Sequence, residues 1–204
     1  MIRNVIFDMG NVLIRFAPRE FIRRCGVEDE KDRELIWQEV FHSVTWVRLD
    51  RGDCTEEEAV AEICKKLPER LHSAARQVIT GWALPDLEIA ETQSLAQTLS
   101  DKGYTLYLFT NAGEGQRRYF RQYPAAQLFE GRVFLSADWK LLKPSTEYFE
   151  AAMRHFSLRP EECLFIDDAP YNVEAAIRVG LDGIVYHGDP KRLTDDLRAH
   201  GIDI

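Results

Sequence analysis

The sequence predicts an α/β fold, a doubly wound parallel sheet with a small helical cap inserted after the first strand. Three observations predict it. Short apolar runs bounded by polar turns recur along the chain, as buried parallel strands do. Amphipathic helical patterns separate the later runs. One long stretch, residues 18–85, breaks that alternation with helical segments and no convincing strand.

The first strand is expected at Val5-Ile6-Phe7. The inserted stretch follows, and one of its helices opens on the capping-box pattern Thr55-Glu56-Glu57-Glu58 and runs towards Leu67. An amphipathic helix is expected over Leu87–Leu99, with Gly103 as its terminator. Strands are then expected at Thr105–Phe109 and Val133–Leu135. A helix over Thr146–Phe156 leads to a strand at Cys163–Ile166. A helix over Asn172–Val179, closed by Gly180, leads to a last strand at Ile184–Tyr186. Pro190–His200 forms the final helix, with Gly201 after it. The division is therefore a core domain of residues 1–17 and 86–204 and a cap of residues 18–85. A helical insertion at the mouth of a sheet suits a lid.

Composition narrows the class. The 204 residues suit one compact domain or a core with a small insertion, and 45% hydrophobic content supports a buried core. A net charge of −8 argues against the basic face of a nucleic-acid binder. The expectation is no nucleic acid and no membrane partner, since no run approaches the roughly 18 apolar residues of a membrane span. Cys25, Cys54, Cys64 and Cys163 form no Cys-x-x-Cys pair. The apolar start is interrupted by Asp8, too early for a secretory segment. A reducing, cytoplasmic setting and a monomer are expected. The five histidines show no His-Glu-x-x-His spacing, which argues against zinc.

Ligands of open parallel sheets bind beyond the carboxyl ends of the strands, so the residues there carry the functional argument. After the first strand comes Asp8-Met9-Gly10-Asn11-Val12, and after the second Thr110-Asn111. Lys143-Pro144 lies in a loop beyond the third. Asp167-Asp168 ends the fourth, with Asn172 a short way on. Each is unremarkable alone: an Asp after a strand is usually a turn or cap, and a single lysine is usually solvated. Together, three carboxylates, a hydroxyl, an amide and a lysine converge on one edge where packing needs none of them. Phosphoryl transfer wants this set. Mg²⁺ takes hard oxygen ligands, here Asp8, Asp168 and the Gly10 carbonyl. Thr110, the amide of Asn111 and Lys143 would hold phosphoryl oxygens. A carboxylate nucleophile splits hydrolysis into two easier steps.

These motifs resemble the haloacid dehalogenase superfamily. The matching residues are Phe7-Asp8-Met9-Gly10-Asn11-Val12, Leu108-Phe109-Thr110-Asn111, Lys143-Pro144, Phe165-Ile166-Asp167-Asp168 and the run Asn172–Gly180. The resemblance covers essentially the whole chain, and the helical insertion sits where subfamily I members carry their cap. It is closest to sugar-phosphate phosphatases of the alpha-glucose-1-phosphatase type and to the phosphatase domain of soluble epoxide hydrolase. It implies a Rossmann-like core and a phosphatase using Mg²⁺ on a small phosphorylated substrate. Asp8 would be nucleophile and metal ligand, with Gly10 ligating through its carbonyl and Asp168 directly. Thr110 and Asn111 would bind phosphate, and Lys143 would orient nucleophile and phosphate. Asp167 and Asn172 would support the metal indirectly.

One departure matters. Most phosphatases of this superfamily carry a second Asp two residues after the nucleophile as general acid and base, and here that position is Gly10. A general acid is worth about 10²–10⁴-fold in rate. Its loss implies a slow enzyme, an acid from elsewhere, or substrates with good leaving groups; in the plain reading, glycine stands there for backbone freedom.

The cap should carry specificity, and its most informative stretch is Trp46-Val47-Arg48-Leu49-Asp50-Arg51-Gly52-Asp53. Arg48 or Arg51 is the candidate contact to a phosphate or sugar, and Trp46 to a ring; the plainer readings are solvated arginines and a core tryptophan. Gly113-Glu114-Gly115 lacks the third glycine of a dinucleotide fingerprint. Sugar phosphates are the substrate the resemblance favours. Three alternatives share the fold: a 2-haloacid dehalogenase, disfavoured by Asp167-Asp168; a phosphomutase, disfavoured by Gly10; and a non-catalytic metabolite-binding protein, which Gly10 favours.

Overall fold

A computed structural model describes residues 1–82 and 84–204. Five strands form one parallel sheet: β1 (Asn4–Phe7), β2 (Thr105–Thr110), β3 (Val133–Leu135), β4 (Cys163–Asp167) and β5 (Asp182–Val185), ordered β3-β2-β1-β4-β5. The sequence argument carries into the packing. Successive strand side chains face opposite sides of a sheet. Val5, Phe7, Leu106, Leu108, Leu164 and Ile166 enter one buried cluster, while Ile6, Tyr107, Phe109, Cys163 and Phe165 enter another. The strands thus read as unbroken apolar runs because both faces are covered.

Helices supply the covers: α6 (Ala90–Asp101) and α11 (Pro190–Ala199) on the first face, α9 (Thr146–His155) and α10 (Pro170–Arg178) on the second. Among the described residues, five α-helices lie between β1 and α6: α1 (Pro18–Arg24), α2 (Glu30–Ile36), α3 (Val44–Asp50), α4 (Glu56–Cys64) and α5 (His72–Thr80). They hold a third buried cluster built on Ile22, Ile36, Val40, Val60, Ile63 and Val78. The Thr55–Glu58 capping box opens α4 as expected. The inserted stretch read from sequence includes Ala83, which lies outside the described residues.

Some elements differ from expectation. The last strand is Asp182–Val185, shifted toward the N-terminus relative to Ile184–Tyr186. Gly183 explains the shift: a Cβ there would stand 2.6 Å from Val173 Cγ1, so α10 packs onto β5 only where the side chain is absent. Helices α7 (Gln116–Phe120) and α8 (Ser136–Trp139) and a π-helical turn at Trp37–Phe41 have no counterpart in the sequence reading, being too short to show a period.

Candidate active site

The central strand β1 lies between β2 and β4, so the loops leaving these strands open onto one crevice. Asp8 stands directly after β1, anchored by its backbone N–H to Ile166 O at 2.8 Å. The residue is buried, and its carboxyl receives Lys143 Nζ at 2.8 Å. Lys143 Nζ also donates to Asp167 Oδ2 at 2.6 Å and Phe109 O at 3.0 Å, which accounts for all three ammonium hydrogens. The lysine therefore orients Asp8, and none of its donors is free for a phosphoryl oxygen. Burial opposes its charge, but Asp8 and Asp167 together hold its ammonium above the ordinary lysine value. Burial likewise pushes the Asp8 carboxyl up, against the pull of Lys143.

Asp167 is wholly buried. Besides Lys143 it accepts from the Ala169 N–H at 2.8 Å and, at 3.0 Å on each oxygen, from Asn172 Nδ2. Asp168 is open to the cavity on one side; burial raises its carboxyl, and Asn11 Nδ2 donates to its Oδ2 at 2.9 Å. Asn11 adopts φ 53°, a left-handed conformation Asn tolerates, and its Oδ1 accepts from Phe16 N at 3.0 Å. Asn11, for which the sequence predicts no role, bridges the loop after β1 to Asp168.

Carboxylate oxygens of Asp8, Asp167 and Asp168 all lie within 4.8 Å of one another. Three carboxyl groups here face one ammonium, and a divalent cation would offset the negative charge that their ionisation brings. Asn172 Oδ1 is buried without a partner among the described residues and lines the same cavity. That orphan acceptor suits a cation's water ligand, so the residues present fit Mg²⁺.

Thr110 ends β2 and lines the cavity, 1% exposed. The Asn111 side chain is engaged elsewhere: it donates to Lys143 O and accepts from Lys143 N, both at 2.9 Å. Its amide thus fixes the lysine loop. Gly10 lines the cavity with an ordinary backbone, and a Cβ there would lie 3.8 Å from Asp8 Oδ2. Backbone freedom is not what position 10 requires.

A cavity of about 310 Å³ rises from this floor to the inserted helices. Its far wall is aromatic: Phe16 stacks on Trp82 with centroids 5.1 Å apart, and Trp46 lies 6.3 Å from Phe16. Helical periodicity puts Trp46, Leu49 and Asp50 on the face of α3 that lines the cavity. It turns the two expected arginines aside: Arg48 pairs with Glu62 at 3.0 Å and Arg51 with Asp53 at 2.5 Å, and neither lines the cavity. Trp46 lines the cavity and also packs against the buried clusters, while Phe16, Trp82 and Asp50 carry no role predicted from sequence.

Comparison with known proteins gives a consistent result. The sequence matches the haloacid dehalogenase-like hydrolases over residues 2–180. A sesquiterpene phosphatase of Aspergillus oryzae is 28% identical over 195 residues, 94% of this chain and 90% of that protein. The structure of a HAD-like family hydrolase from Porphyromonas gingivalis superposes with a TM-score of 0.74 at 26% identity, covering 100% of both chains. A HAD family enzyme from Bacteroides thetaiotaomicron, in complex with magnesium and inorganic phosphate, has the same fold, with a TM-score of 0.70 at 21% identity over 95% of this chain and 99% of that one.

Proposed function

The chain belongs to the haloacid dehalogenase-like hydrolases, and from that premise we propose that it is a magnesium-dependent phosphatase acting on a small phosphate monoester through an aspartyl-phosphate on Asp8. One observation carries the reading: a buried carboxylate, gripped by Lys143, shares a cavity with Asp168 and with Asn172, whose amide oxygen is unpartnered among the described residues.

In this mechanism Asp8 Oδ attacks phosphorus and the ester oxygen leaves; water then cleaves the acyl phosphate. Lys143 fixes the attacking carboxylate and lowers its charge. Thr110 and the backbone N–H of Asn111 hold the phosphoryl oxygens. Asp8, Asp168 and the Gly10 carbonyl are the ligands proposed for Mg²⁺, with Asp167 and Asn172 behind them. Bound there, the cation would reduce repulsion between the carboxylate and the anionic ester.

The cavity wall bears on the substrate. Phe16, Trp46, Trp82, Leu49 and Ile79 line the cavity, and Arg15, the one basic group besides Lys143 lining it among the described residues, is tied to Glu20 at 3.2 Å. This lining favours the monoester of an apolar or aromatic alcohol over a sugar phosphate. The relative named for a sesquiterpene substrate supports that choice. Phosphate release should be measured on aryl, prenyl and sugar monoesters, with Mg²⁺ and with chelator. Higher kcat/KM on the apolar esters is expected. Full activity in chelator, or in Asp8→Asn, sinks the phosphatase reading. Chloride release from a 2-haloacid under chelator would establish the dehalogenase alternative instead.

A further inference from the structure

Gly10 leaves the leaving group without the usual proton donor, and the cavity supplies a different one. Asp50 ends α3, at the junction between the inserted helices and the loop after β2. Its backbone carbonyl accepts from Ser136 Oγ at 2.5 Å, and the same hydroxyl accepts from the Ala112 N–H at 2.9 Å. Ser136 thereby ties the end of α3 to the segment that follows Thr110 and Asn111. The Trp46 side chain and the Gly113 N–H beside the Asp50 carboxyl favour its charged form against burial, and Asp50 lines the same cavity as Asp8.

Resting on the phosphatase reading above, we propose that Asp50 is the general acid and base of this enzyme, replacing from the inserted helices the carboxyl that position 10 lacks. In the first step the Asp8 Oδ–P bond forms and the bond from phosphorus to the ester oxygen breaks. The Asp50 carboxyl proton passes to that oxygen, so a neutral alcohol leaves and Asp50 becomes a carboxylate. In the second step Asp50 takes a proton from the attacking water. The water oxygen bonds to phosphorus, the Asp8–phosphorus bond breaks, and both carboxyl groups return to their starting forms.

The surroundings of Asp50 suit the role. Burial pushes its carboxyl from 3.8 up to about 8, so it holds its proton at neutral pH and still releases it readily. The other titratable groups facing it are worse donors. Glu56, on α4, has both carboxyl oxygens engaged by Arg118 at 3.1 and 3.2 Å. Tyr119, on α7, is held far above the ordinary phenol value by burial and by Asp50 itself, so its proton is much less available.

The decisive experiment compares wild type and Asp50→Asn, each saturated with Mg²⁺, on p-nitrophenyl phosphate and on 3-phenylpropyl phosphate. Nitrophenolate leaves without help, whereas the alkoxide needs a proton. Expected is a loss of about 10²–10⁴-fold in kcat/KM on the alkyl ester and less than about tenfold on the aryl ester. The alkyl-ester rate of the wild type should fall as pH rises through about 8, and this limb should vanish in Asp50→Asn. Trp46→Phe, which removes an N–H beside the carboxylate that favours its charged form, should move the limb to higher pH. Equal losses on both esters, or none, in an active enzyme overturn the assignment of Asp50 alone. A wild type inert on both esters overturns the phosphatase reading and this proposal with it.

Discussion

Lys143 and Asp8 form an ion pair of 2.8 Å whose side chains are 1% and 11% exposed. Such a pair is sealed from water, so its two halves are not equivalent to remove. Lys143→Met would leave Asp8 and Asp167 facing each other without a cation. A cost of about 3–5 kcal/mol is expected, read as a lowered urea midpoint. Asp8→Asn leaves Lys143 paired with Asp167 at 2.6 Å, so a much smaller loss of stability is expected. Its phosphatase activity should nevertheless fall by at least about 10⁴-fold, because the nucleophile is gone. A stable Lys143→Met protein would contradict the buried-pair argument.

Asn11 makes a second, separable contribution. Glycine at this position keeps the left-handed backbone at φ 53° and removes only the amide that donates to Asp168. Asn11→Gly should therefore weaken Mg²⁺ binding by about 10–100-fold, the usual effect of losing a group that orients a metal ligand. With Mg²⁺ raised to saturation, kcat should return close to the wild-type value. Titration of activity against Mg²⁺ reads both numbers, and an unchanged half-saturation point would refute the role.

These relationships were unequally visible in the sequence. Asp8, Thr110, Asp167 and Asp168 stood out because each interrupts an apolar run at its carboxyl end, and buried parallel strands make such runs continuous. Lys143 is at no strand end, and only its motif revealed it. Asp50 was passed over for its neighbour Arg51, since charge in isolation draws attention to arginines. What distinguishes Asp50 is enclosure by Trp46 and the loop at Gly113, a contact between segments far apart in the chain. The aromatic wall was hidden for the same reason: Phe16, Trp46 and Trp82 come together only when the inserted helices fold over the sheet edge.

The seat of α3 on the core gives a third prediction. Gly52 follows Asp50 closely, has φ 77°, and a Cβ there would collide with the backbone of Ala137. Gly52→Ala must strain the turn or lift the end of α3. A loss of about 1–2 kcal/mol is expected from the left-handed conformation alone. Because the displaced segment carries Asp50, kcat/KM on alkyl esters should fall more than that on aryl esters. Equal falls would show that α3 does not need this seat for the chemistry.

Asp50 also predicts a pH dependence of stability. Its folded value of about 8 lies above its ordinary 3.8, so between these limits the folded protein holds a proton that the unfolded chain has released. The contribution of Asp50 to stability is thus greatest at low pH and is lost as pH rises towards about 8. Asn cannot ionise and keeps an acceptor for Trp46 and Gly113. The Tm difference between Asp50→Asn and wild type should grow in favour of the variant across this range. A difference independent of pH would mean that the carboxyl ionises normally.

Position 10 offers the strictest test, because it asks whether the missing acid and the substituted one are interchangeable. A Cβ at Gly10 meets only ordinary contacts, 3.8 Å from Asp8 Oδ2 and from Phe16 Cβ, and the backbone there has no positive φ to forbid a side chain. Gly10→Asp should therefore be accommodated. Placed in the Asp50→Asn background, it should restore at least about tenfold of the lost alkyl-ester activity, a fraction of what a general acid supplies. It should change aryl-ester hydrolysis little, since that leaving group needs no proton. Introduced alone, it should add little, because the wild-type enzyme already has a donor in Asp50. A double variant no better than Asp50→Asn on the alkyl ester, with both proteins folded and active on the aryl ester, would separate Asp50 from proton transfer and leave it as a support for Trp46 and the loop at Gly113.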